Sequence, residues 1–177
     1  CASSILFITL SKKLNMIFPY ITMFLGIDLA GDEKNITGMA FINEKVILDS
    51  LHTNNEILNF IDKFKSKIIA IDSPLSFYGK HFRECDLELR KEFKILPLTF
   101  KGMQKLTKRG IYLKKKIRGK VIETYPHASR KKLKDELKKY TFKNKHEGDA
   151  LICALVAKAY YFKEAGYYGE KDRIYVI

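Results

Sequence analysis

At 177 residues the chain has the length of one ordinary domain, enough to bury a core without a disulfide framework or a structural metal. Its composition, 46% hydrophobic and 30% charged, excludes disordered and fibrous classes, and no run of about 18 or more apolar residues exists to cross a bilayer as a helix. The net charge of +13 is concentrated between Lys101 and Lys145, where 14 Lys and 3 Arg face only Glu123, Asp135 and Glu136; a basic half of this kind is the electrostatic footprint of a nucleic-acid partner, with solvated lysines as the plainer reading.

In chain order, Ile5–Leu10 is a short apolar run whose lysines, Lys12 and Lys13, lie on the wrong side for a secretory signal. The chain opens on Cys1 and carries Met16 and Met23 as alternative starts, so residues 1–22 are expected to be an N-terminal extension or a cloning remnant, and residues 23–177 the folded domain. Phe24–Leu29 predicts a buried strand that ends in Ala30-Gly31-Asp32. Asn35–Ile42 and Val46–Leu51 predict two more, joined by the polar turn Asn43-Glu44-Lys45 into an antiparallel meander. Asn54 can cap a helix running to about Lys65, with Ile57, Leu58, Ile61 and Phe64 as its apolar stripe. Lys67–Ile71 predicts another buried strand, stopped by Asp72-Ser73-Pro74. A charge-rich helix from about His81 to Phe93 and a basic helix over Met103–Ile117 follow, then a strand over Val121–Tyr125 ended by Pro126. A polar helix from about Ala128 to Tyr140 precedes a long last helix, Glu147–Glu164, whose Ala150, Ala154 and Ala157 allow close packing on a sheet. Ile174–Ile177 predicts an edge strand. A meander followed by a helix and a strand that returns beside the first makes an α/β mixed sheet covered by helices, the element order of the ribonuclease H-like fold.

The chemistry is carried by acids at strand ends. The two-residue period places Gly26, Asp28 and Ala30 on one face of the first strand, and Ala70 with Asp72 on one face of the fourth. As parallel neighbours these strands would bring both carboxylates to the C-terminal edge of the sheet, where open α/β sheets bind ligands. Glu123, in Val121-Ile122-Glu123-Thr124, and Asp149, near the start of the last helix, are the other two candidates. Carboxylates gathered on an apolar sheet repel one another and lose hydration, and divalent cations relieve both. Oxygen ligands without a Cys or His cluster select Mg²⁺ or Mn²⁺, and two such ions can hydrolyse a phosphodiester. Each residue also has a plainer reading: Asp28 and Asp72 as turn formers, Glu123 as a lysine partner, and Asp149 with Glu147 as helix-dipole acids. His146 reads as a surface histidine. The odd count of Cys1, Cys85 and Cys153, with no Cys-x-x-Cys pair, argues for a reducing, cytoplasmic compartment.

From Phe24 to Ile177 the chain resembles the domain-of-unknown-function family 429, described as predicted nucleases with a ribonuclease H-like fold related to Holliday-junction resolvases. The resemblance lies in Gly26-Ile27-Asp28-Leu29-Ala30, Ile71-Asp72-Ser73-Pro74-Leu75, Arg83-Glu84-Cys85-Asp86, Glu123-Thr124-Tyr125-Pro126, Asp149-Ala150 and the closing Gly166 with Ile174–Ile177. It implies that Asp28, Asp72, Glu123 and Asp149 bind two Mg²⁺ or Mn²⁺ ions, and that Arg83 and Asp86 line the site.

The expected activity is therefore metal-dependent hydrolysis of DNA or RNA phosphodiesters, with a non-catalytic nucleic-acid-binding or scaffold protein on the same fold as the rival. Phosphate contacts are expected from Arg83, Lys105, Lys108, Arg109 and Lys145; Lys105, Lys108 and Arg109 share a helical face. Gly26-Ile27-Asp28-Leu29-Ala30-Gly31 also resembles the first phosphate motif of actin-like ATPases, but those need two such domains and a glycine-rich adenosine loop. The sequence leaves monomer and homodimer open.

Overall fold

A computed structural model describes residues 23–66 and 68–177; the predicted N-terminal extension lies outside the described residues. The elements are β1 (Phe24–Asp28), β2 (Thr37–Ile42), β3 (Val46–Leu51), α1 (Asn54–Phe64), β4 (Ile68–Ile71), α2 (Glu84–Leu89), α3 (Lys101–Lys116), β5 (Lys120–Thr124), α4 (Pro126–Arg130), α5 (Lys134–Leu137), α6 (Lys145–Tyr161), β6 (Gly166–Tyr168) and β7 (Ile174–Val176). The strands form one 7-stranded sheet in the order β3-β2-β1-β4-β5-β7-β6. β1, β4, β5 and β7 are parallel, while β1–β2, β2–β3 and β6–β7 pair antiparallel.

Alternation along β1 divides the core in two. Phe24 packs with Ala40, Ala70, Ile122 and the buried residues of α6 on one face, whereas Leu25 and Ile27 join Ile57, Ile61, Ile69, Ile71 and Leu113 beneath α1 and α3 on the other. From Ala150 to Ala157 helix α6 is apolar all round because it is covered twice, by the sheet and by Leu133, Leu137 and Tyr140 from the α4–α5 region.

Helix α1 is capped one residue earlier than predicted. Thr53 is the N-cap and forms a capping box with Glu56, and this leaves the Asn54 side chain free for a longer-range contact. The predicted helix over His81–Phe93 contracts to Glu84–Leu89, since Arg83 is extended and is tied to Asp86 through its own backbone N–H. The polar helix predicted from Ala128 to Tyr140 is two short pieces, α4 and α5. Strand β6 went unread because it is three residues long and mostly exposed, and only its pairing with β7 defines it. No helix among the described residues is long and apolar enough to cross a membrane.

Candidate active site

Asp28 ends β1 and Asp72 follows β4 directly. The register pairs Gly26 with Ala70 and Ile27 with Ile71, and the Asp72 N–H donates to Ile27 O at 2.9 Å, so the two carboxylates leave the sheet side by side. Both continue the Gly26 and Ala70 face, under α6. The turn after Asp72 is pinned from the other face: Ser73 Oγ donates to Leu106 O of α3 at 3.1 Å, and the Leu75 N–H donates to Glu123 Oε2 at 2.8 Å.

The third acid arrives on α6. Its N-cap, Asn144, accepts from the Glu147 N–H, and the buried Glu147 carboxylate accepts in turn from the Lys143 N–H at 2.8 Å and from Ser50 Oγ at 3.3 Å. Glycines in β1 and β2 let this helix lie directly on the backbone. A Cβ at Gly26 would sit 2.1 Å from Ala150 O, and one at Gly38 would sit 2.1 Å from His146 O. The close approach delivers His146 Nδ1 to 2.6 Å from Asp28 Oδ2, the ring N–H donating to the carboxylate. Asp149 stands one turn further along, paired with Arg130 of α4.

The electrostatics follow from this crowding. Burial raises the Asp28 carboxyl above its ordinary value, and the His146 bond opposes that while the charge of Asp149 adds to it. Asp72 is pushed well above the carboxylate range by burial first, then by the charges of Asp28, Asp149 and Glu123.

Glu123 departs from expectation. The register aligns it with Ile27 and Ile71, so its side chain points to the α1–α3 face, opposite Asp28, Asp72 and Asp149. There it lines a cleft of about 360 Å³ with Lys114, Lys120 and Arg173. Its carboxylate is engaged by Arg83, whose Nη1 and Nη2 donate at 2.8 and 2.5 Å. Arg83 also donates to Asp86 through Nε and Nη2, and to Ser76 Oγ. Burial opposes the Arg83 charge, but Glu123 and Asp86 hold the guanidinium protonated. Arg83 is 4% exposed with every nitrogen used, which corrects its reading as a phosphate contact. Together Arg83, Glu123 and Asp86 clamp the 73–83 segment to the end of β5.

Arg109 is a second correction. It is buried, and it donates to Ala30 O and Asn54 Oδ1 at 2.8 Å and to His52 O at 2.5 Å, so it ties α3 to the loops at the ends of β1 and β3. Lys105 and Lys108 are exposed; Lys105 pairs with Asp32 at 3.1 Å. Lys145, exposed at the start of α6, is near enough for its charge to favour the Asp28 carboxylate.

His146 and Arg130 were missed from sequence. His146 and Asp149 are three apart, which places them on one helical face and was a readable signal. Nothing local marks Arg130 as the partner of Asp149.

Among the described residues, no three His, Cys, Asp or Glu side chains stand in ready-made ligating positions: Asp28 is turned to His146 and Asp149 to Arg130. The donor chemistry nevertheless fits a hard divalent cation. Asp28, Asp72 and Asp149 offer oxygen ligands at one edge, and their mutual repulsion falls most heavily on Asp72.

No family model and no curated protein matches the chain. Among solved structures it is similar to T. thermophilus RuvC in complex with Holliday junction substrate, with a TM-score of 0.50 and 15% sequence identity over 80% of this chain and 95% of that one. At that identity the likeness speaks for the fold. The chain has the ribonuclease H-like α/β fold that its element order predicts.

Proposed function

We propose that this protein is a metal-dependent nuclease that hydrolyses phosphodiester bonds of DNA or RNA, with Asp28, Asp72, Asp149 and His146 as its working groups. One observation carries the reading: carboxylates from β1, from the turn after β4 and from α6 meet at one edge of the sheet, on one face, with an imidazole bonded to the first. Asp28, Asp72 and Asp149 would hold Mg²⁺ or Mn²⁺, one ion or a pair. Bound there, these cations supply the positive charge that a phosphodiester and its leaving oxygen require. His146 fixes the orientation of Asp28, and Arg130 that of Asp149. Glu123 acts one step back, by holding the turn that carries Asp72.

The partner is nucleic acid, in keeping with the basic half of the chain and with a structural relative solved on a DNA junction. The motif order from Asp28 to Asp149 supports placing the chain, from residue 23 to 177, in the domain-of-unknown-function family 429. The buried free thiols of Cys85 and Cys153 agree with a cytoplasmic setting.

The test offers single strands, duplexes, hybrids and branched junctions with Mn²⁺, and compares wild type with Asp28→Asn. Cleavage of at least one substrate by wild type, abolished by Asp28→Asn with the melting temperature kept, is the expected result. Wild-type rates in the variant would remove the assignment. The pairing of Asp28 with His146 and of Asp149 with Arg130 favours a second reading, a non-catalytic nucleic-acid-binding protein. Gel-shift binding with no divalent-dependent cleavage would select it.

A further inference from the structure

Helices α4 and α5 are joined by a nearly helical turn, in which the Leu133 N–H donates to Ser129 O and the Leu137 N–H to Leu133 O. Along such a path residues three and four apart stand on one face. Arg130, Lys131, Lys134 and Lys138 fall on that face and surround Leu137, forming a groove of about 440 Å³. Two of the four cations are met by a carboxylate, Lys138 by the exposed Asp135 at 2.7 Å and Arg130 by Asp149, while Lys131 and Lys134 form no ion pair among the described residues. The groove therefore adjoins the candidate active site through Arg130, which belongs both to its lining and to the pair with Asp149.

We infer that the α4–α5 face is a phosphate-binding track that guides the sugar-phosphate backbone of a nucleic acid to Asp149. The inference rests on the nuclease or nucleic-acid-binding reading above and assigns the contact within it. Four cations along one face match a polyanion whose charges repeat along a line, and aliphatic lysine stems around Leu137 make the walls. The Lys138–Asp135 pair is exposed on both sides, so solvent screens it and a phosphate can take the place of Asp135. The track takes over the role that sequence alone gave to the Lys105, Lys108 and Arg109 face of α3, whose Arg109 is buried and spent on Ala30 O, His52 O and Asn54. Contacts of this kind go to phosphate, so they confer affinity without sequence preference.

The experiment uses the full chain with Lys131→Gln, Lys134→Gln and Lys138→Gln combined, and a control with Lys45→Gln, Lys63→Gln and Lys65→Gln. The control removes equal charge from exposed positions at the opposite end of the sheet, next to the start of β4 and the β2–β3 turn. Binding of unrelated duplex and junction oligonucleotides is followed against NaCl, and Mn²⁺ binding is titrated separately. Each lost phosphate contact should reduce the log–log salt slope by about 0.9 on duplex, so the track variant should lose roughly 2 to 3 in slope and the control about none. Mn²⁺ affinity should be unchanged in both. Equal losses in track and control variants, or a wild-type slope in the track variant, would overturn the track while leaving nucleic-acid binding intact. Failure of the wild type to bind any oligonucleotide would overturn the functional reading and the track together.

Discussion

Burial and the charges of Asp28, Asp149 and Glu123 all push the Asp72 carboxyl toward its neutral form. Its folded value lies above its unfolded one, so the folded state keeps the proton to higher pH. The native state is then favoured fully below about pH 4, and that favour is lost as pH rises through the folded value. Asp72→Asn should accordingly raise the melting temperature of the metal-free protein near neutral pH by about 2–8 °C and leave it unchanged near pH 4. Thermal denaturation in chelator across that range checks it, and a pH-independent difference would refute it. Arg83 poses the opposite case. Arg83→Met would strand the buried carboxylates of Glu123 and Asp86, at a cost of about 3–5 kcal/mol. Glu123→Gln added to that variant should recover part of the loss, and Glu123→Gln alone should keep Mn²⁺ affinity, measured by titration calorimetry. A collapse of metal binding in Glu123→Gln would restore Glu123 as a ligand.

At the scale of elements, everything depends on how closely α6 lies on β1 and β2. Gly26→Ala would drive a methyl into Ala150 O and Ala154 N, at 2.1 and 2.2 Å, and both are helix backbone that cannot rotate away. Overpacking of this kind costs about 1–3 kcal/mol or more, and the helix must shift to relieve it. Gly38→Ala meets His146 O and His146 C at 2.1 and 2.4 Å, at the end of α6 nearest Asp28. It should therefore weaken Mn²⁺ binding and cleavage more than its effect on melting temperature would suggest. Thr53→Ala is the contrasting case. It removes the α1 capping box for about 1 kcal/mol and should leave cleavage unchanged, because α1 lies on the other face of the sheet.

For the molecule as a whole, the separation of charge gives a linkage prediction. Carboxylates concentrated at one edge of a sheet are destabilising alone and favourable around a cation, so divalent metal should raise the melting temperature of the wild type and not of Asp28→Asn. A ligand at about 100 times its dissociation constant stabilises by about 2.7 kcal/mol, or roughly 5–10 °C for a domain of this size. Differential scanning calorimetry with and without Mn²⁺ measures it. An equal rise in both proteins would place the ion elsewhere. The basic side chains act over longer range: those around the α4–α5 groove lie beside this edge, so they draw a polyanion toward acids that would otherwise repel it.

Much of the architecture was legible in local pattern. The alternation in Phe24–Leu29 and the apolar run before Asp72 marked the strands, and Ala150, Ala154 and Ala157 marked the helix that packs on them, because periodicity and side-chain size are properties of neighbouring residues. The same two-residue period correctly put Asp28 with Gly26 and Asp72 with Ala70. Which face Glu123 takes was not local. It depends on the register of β5 against β4, where Glu123 aligns with Ile71, and a slip of one residue would have turned it to the other side. Likewise Arg83 and Arg109 read as exposed cations until the fold surrounded them with acceptors from distant segments, Glu123 for the one and Ala30 and His52 for the other. Sequence by itself determined the elements and the acids available at their ends. Tertiary structure alone decided which of those acids share a face, and which cations are spent holding the fold rather than free to meet phosphate. Periodicity is written in adjacent residues, whereas pairing and burial arise only when separate elements come together.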